Sequence, residues 1–105
     1  MTGITTELGL NAARGEVSLD VDGVPRRLCL TLGALAEMET ALGCEDLSAL
    51  QGRLASASAR DLVLVLAALL RGGGEAETAA RIAVASVELG DAARAVSEVF
   101  RRAGA

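Results

Sequence analysis

The chain has 105 residues, a formal charge of −4, 51% hydrophobic but 1% aromatic residues, and no histidine, lysine or tyrosine. Such a length suits one domain over 1–105, with a core of Leu, Val, Ala, Ile and Met. The charge speaks against a nucleic-acid surface, which needs cations to displace counterions. The missing residue types remove the usual general bases and Schiff-base nucleophiles.

Residues 1–13 are polar, with one candidate strand over 4–8, and read as a poorly ordered lead-in. They lack the basic and apolar regions of a secretory signal. From residue 16 the pattern is strict: Val17, Leu19 and Val21 alternate with Ser18, Asp20 and Asp22, as in a strand with one buried face. Asp22-Gly23 supplies a tight turn, because Gly accepts positive φ, and Pro25 falls where a missing N–H does little harm. The return strand is expected over 26–30. In that strand Leu28 and Leu30 face the core, and Arg27, Cys29 and Thr31 face away.

Thr31 is placed to cap a helix. Leu32, Leu35, Met38 and Leu42 recur at helical spacing, and Gly43 ends the helix. A second helix begins at Glu45 or Asp46, with Leu47, Leu50 and Leu54 as its stripe. Ser58 and Asp61 form the acidic version of a capping box, so a third helix runs from 59 to 70 or 71 and stops at Gly72-Gly73-Gly74. The remainder reads as two helices interrupted near 87–90. In the last one Ala92, Val96, Val99, Phe100 and Ala103 form the core face, opposite Arg94, Glu98 and Arg102. The expected fold is α+β: an N-terminal β-hairpin followed by four or five short helices packed as a small bundle.

No motif carries chemistry. Asp20 to Gly23 could open a calcium loop, but the fifth and twelfth positions, which need oxygen ligands, are Val24 and Thr31. The glycines after Arg71 follow a helix and lack the Lys-Ser/Thr of a phosphate loop. Cys29 and Cys44 have no CxxC spacing and read as reduced, small hydrophobes. Glu37 and Glu39 point in different directions on a helix and make no acid/base pair. No catalytic, cofactor-binding or metal-binding residue is expected, and the chain reads as a non-enzyme without a cofactor.

The third helix is the least ordinary segment, because Leu62, Val63, Leu64, Val65, Leu66, Leu69 and Leu70 leave little polar face. Either it is the enclosed centre of the fold or part of it meets a partner. On the second reading Leu62, Val65, Leu66 and Leu69, with Leu35 and Met38 beside them, are candidate partner-binding residues. The hairpin edges offer a second docking mode. The longest apolar run, 62–70, is about half the roughly twenty residues that cross a bilayer, so no membrane partner is expected and the protein should be made and kept in the bacterial cytoplasm.

The order GEV-x-L-x-x-DG, LTLGALAEME and SARDLVLVLAALLRGGGE resembles a family of small proteins from the tail gene clusters of alphaproteobacterial gene transfer agents and related prophages. Its members are described as tail tube or tail assembly chaperone-like proteins. The likeness spans roughly residues 11–102 and rests on small and apolar residues. It implies a non-enzymatic chaperone that coats apolar stretches of a tape measure protein and helps tail tube subunits polymerise. Under its other label it implies a structural tube component resident in the particle. Self-association is a further possibility under either label. Residues 84–89 depart from the family's more glycine-rich break before the last helix.

Overall fold

In the computed structural model residues 15–104 are described, and the expected lead-in and its candidate strand lie outside them. Strands β1 (Val17–Val21) and β2 (Val24–Leu28) pair antiparallel, with Val17 opposite Leu28 and Val21 opposite Val24. The two-residue turn has Asp22 at φ 54° and Gly23 at φ 77°, the doubly left-handed geometry that matches the twist of the strands. Val17, Leu19 and Val21 face the core while Ser18 and Asp20 are exposed, as the alternation predicts.

The return strand starts and ends two residues earlier than the expected 26–30, and Cys29 is buried instead of facing away. The reason is a crossing. After Leu28 the chain leaves the ladder, and the Cys29 amide donates to the Leu69 carbonyl at 3.0 Å. The partner segment is glycine because a Cβ on Gly72 would lie 2.2 Å from the Cys29 carbonyl oxygen, and one on Gly73 would lie 2.3 Å from that of Arg27. Here the glycines permit contact as well as ending a helix.

Five α-helices follow among the described residues: α1 (Leu32–Leu42), α2 (Leu47–Ala55), α3 (Ala59–Gly72), α4 (Ala76–Ala80) and α5 (Leu89–Arg102), with a short 3-10 helix at Ile82–Val84. Their caps follow the sequence. Thr31 accepts from the Ala34 amide at 3.0 Å, Asp46 accepts from Ala49 at 2.8 Å, and Gly43 takes φ 69°. Ser58 and Asp61 complete the capping box of α3. The buried stripe of α1 is Ala34, Met38 and Leu42, whereas Leu32 is 85% exposed and Leu35 only half-buried. Helix α1 packs against both α3 and α2, and the small Ala34 shares its buried stripe with Met38 and Leu42. The interruption before the last helix occupies residues 81–88, wider than expected and beginning earlier.

Helix α3 is the centre. It packs against α1, α4, α5 and β2, and Val65, Leu66, Leu69 and Leu70 are buried within one continuous core. The hairpin covers one side of that core, with α3 behind β2 and α5 behind β1.

Candidate functional site

An apolar groove of about 770 Å³ lies between α2–α3 and α5. One wall is the end of α2 and the start of α3, with Leu54, Ala55 and Leu62. The other is α5, with Leu89, Ala93, Val96 and Phe100. Ala55-Ser56-Ala57-Ser58-Ala59 forms the turn between α2 and α3, so small side chains keep that end open. Leu54, Leu62 and Val96 are half-buried, and Phe100, the single aromatic residue, has its ring mostly covered. Leu89 stands at the rim, 68% exposed. Gln51, Ser56, Ser58, Ser97 and Arg101 supply the polar edge. An apolar floor with a polar rim is the composition of a surface that receives an amphipathic helix.

The α2–α3 wall is fixed by one ion pair. Arg53 donates to Asp61 through Nε at 2.9 Å and Nη2 at 3.0 Å, and its Nη1 donates to the Leu42 carbonyl at 2.9 Å. Asp61 also accepts from the Ser58 amide at 3.2 Å. This clamp ties the end of α1 to the start of α3 and holds the Asp61 carboxyl below the usual range, chiefly through the Arg53 hydrogen bonds and then through the Ser58 amide. On α5, Arg101 and Arg102 both bond Glu98 and lower its pKa, so the Arg101 guanidinium at the edge of the groove is held by a carboxylate of its own helix. The i,i+4 pairing expected on this face occurs between Glu98 and Arg102, while Arg94 bonds Asp91 instead of Glu98.

Of the six candidate contact residues, only Leu62 lines the groove. Leu35 is half-buried against the core elsewhere. Met38, Val65, Leu66 and Leu69 are enclosed, which leaves them no face for a partner while the domain stays folded. The groove residues that sequence reasoning did not assign to a site are Leu54, Leu89, Val96 and Phe100. Val96 and Phe100 fit a core face, and Leu89 falls in the interruption. The available signal was the run of five small residues between two apolar helices.

Among the described residues no His/Cys/Asp/Glu group could hold a metal, and no helix is long and apolar enough to cross a membrane. Residues 14–104 match the family described as phage tail tube protein, GTA-gp10. The chain belongs to that family. The match covers nearly the whole chain, including both walls of the groove, and agrees with the gene transfer agent and phage tail resemblance of the sequence. No curated protein and no solved structure matches this GTA-gp10 family member.

Proposed function

We propose that the protein is a non-enzymatic assembly chaperone of a gene transfer agent or prophage tail. It holds an apolar helical segment of the tape measure protein, or of a tail tube subunit, in the groove between α2–α3 and α5. The observation that carries this reading is the groove itself. Its α5 wall, from Leu89 to Arg101, is about 18 Å long at 1.5 Å per residue, room for roughly three turns of a partner helix. Leu54, Leu62, Val96 and Phe100 would receive apolar anchors at i, i+3, i+4 and i+7. Capture takes place in the bacterial cytoplasm, before the particle is complete.

A structural tail tube component is the second reading, favoured by the family's own description. It needs an extended self-complementary interface, and the two strands among the described residues are slender material for a ring. Quantitative mass spectrometry separates the two. A chaperone is present in producing cells and strongly depleted from purified particles relative to the tube protein, whereas recovery in stoichiometric amounts from mature tails establishes the structural role.

A further inference from the structure

The two outer edges of the hairpin are not alike. The Arg27 amide donates to Glu75 Oε2 at 3.0 Å and the Cys29 amide to Leu69, so the outward-pointing positions are Pro25 and Arg27 of β2 and Cys29 just after it. Pro25 has no donor, and the other two donors are consumed by α3 and by Glu75. The Arg27 and Cys29 carbonyls lie against Gly73 and Gly72. Edge β2 is closed residue by residue.

By the same register the outward positions of β1 are Ser18 and Asp20, opposite Arg27 and Pro25. Both are exposed, neither backbone is bonded among the described residues, and Asp20 makes no ion pair there. Asp22, next along, is already engaged, its amide donating to the Ser86 carbonyl at 2.9 Å. The open stretch is therefore bounded at the turn, and its charge is negative.

We infer that β1 takes up an extended polypeptide segment of a partner protein, paired through the Ser18 and Asp20 backbone, with a basic side chain on its outer face beside Asp20. Charge selects that chemistry, since Asp20 has no cation paired with it among the described residues while Asp22, two residues on, has Arg81. Steric width argues against a second copy as the occupant. Packed helices lie about 8–10 Å apart but strands only about 4.8 Å apart, so with α3 behind β2 and α5 behind β1 the helical layer is wider than the hairpin. Antiparallel β1–β1 pairing would bring a second α5 to the same face and into the space of the first. A lone strand brings no helix.

Amide hydrogen exchange tests this on the full chain, with an acetylated and amidated eight-residue peptide that alternates valine with threonine or arginine as the probe. In dilute protein alone, Ser18 and Asp20 amides should exchange at least tenfold faster than those of Arg27 and Cys29. With millimolar peptide they should slow at least tenfold, but not with the peptide N-methylated at alternate residues. Asp20→Pro, the counterpart of Pro25 across the ladder, should abolish the slowing in a protein of unchanged circular dichroism. Asp20→Ser should weaken it. Slow exchange in dilute protein without peptide, or no slowing at millimolar peptide, overturns the proposal. So does slowing that grows with protein concentration alone and accompanies a dimer in sedimentation, which would assign the edge to a second copy.

Discussion

Asp22 and Ser86 clasp one another across 64 positions of sequence: the Asp22 amide donates to the Ser86 carbonyl at 2.9 Å, and the Ser86 amide donates to Asp22 Oδ1 at 2.7 Å. Arg81 pairs with the other carboxylate oxygen. The turn of the hairpin is thus bound to the interruption between α4 and α5, and each segment gives the other a defined geometry. Two short loops become one joint.

That joint makes the fold acid-sensitive in a definite direction. The Ser86 amide first, and then Arg81, holds the Asp22 carboxyl below its ordinary pKa, as Arg53 does for Asp61 and Arg101 with Arg102 for Glu98. A lowered folded-state pKa contributes stability that is complete above the ordinary carboxylate range and disappears as pH falls through the folded value. The urea midpoint should decline on acidification below that range, and Asp22→Asn and Asp61→Asn should each flatten the decline. A wild-type midpoint that stays level through the carboxylate range would count against these bonds.

Gly72→Ala and Gly73→Ala should each destabilise by about 1–3 kcal/mol in urea unfolding, as overpacking does where backbone cannot retreat. Each added methyl meets a carbonyl oxygen of the chain just after or within β2, at 2.2 Å and 2.3 Å respectively. Gly52→Ala is the control, because nothing lies within 4 Å of its added Cβ. Equal effects at all three positions would mean that the crossing is looser than described.

Met38→Ala should cost about 2–5 kcal/mol, the range for a buried large-to-small change. Leu66→Asp should prevent folding, since the charge would have no water and no partner. Circular dichroism and urea titration suffice for both. A folded Leu66→Asp variant would show that this face of α3 can reach solvent.

Groove variants should behave in the opposite way. Leu89→Asp, at an exposed rim position, should change stability by no more than about 0.5 kcal/mol. It should reduce capture of a tape measure helix at least tenfold in a binding titration, together with Val96→Asp. Undiminished binding by both variants would remove the groove from the proposed function.

Much of the fold was legible because it is written locally. Thr31, Asp46, Ser58 and Gly43 act within one turn of the helices they bound, and the alternation from Val17 to Val21 needs only a core on one side. What sequence did not disclose depends on residues far apart. The end of β2 is set by Leu69 and Gly72, the stripe of α1 by its packing on α3 and α2, and the groove by side chains more than twenty-five positions apart, such as Leu62 and Leu89. Leu, Val and Ala look the same in sequence whether they line a core or a groove. Only the positions of the neighbouring helices separate Leu62 from Leu66.

The closing of β2 by later parts of the chain also fixes an order of events during synthesis. Its amides at Arg27 and Cys29 find Glu75 and Leu69, its turn finds Ser86, and the inner side of β1 finds α5. A two-stranded hairpin is marginal by itself in water, and contacts between distant residues form slowly. The hairpin, made before the helices that hold it, is therefore among the last parts to become stable, and until α5 has docked there is neither a settled hairpin nor a second wall to the groove. A nascent chain that stops short of residue 89 carries α1–α3 but lacks the helix that forms the second wall of the groove.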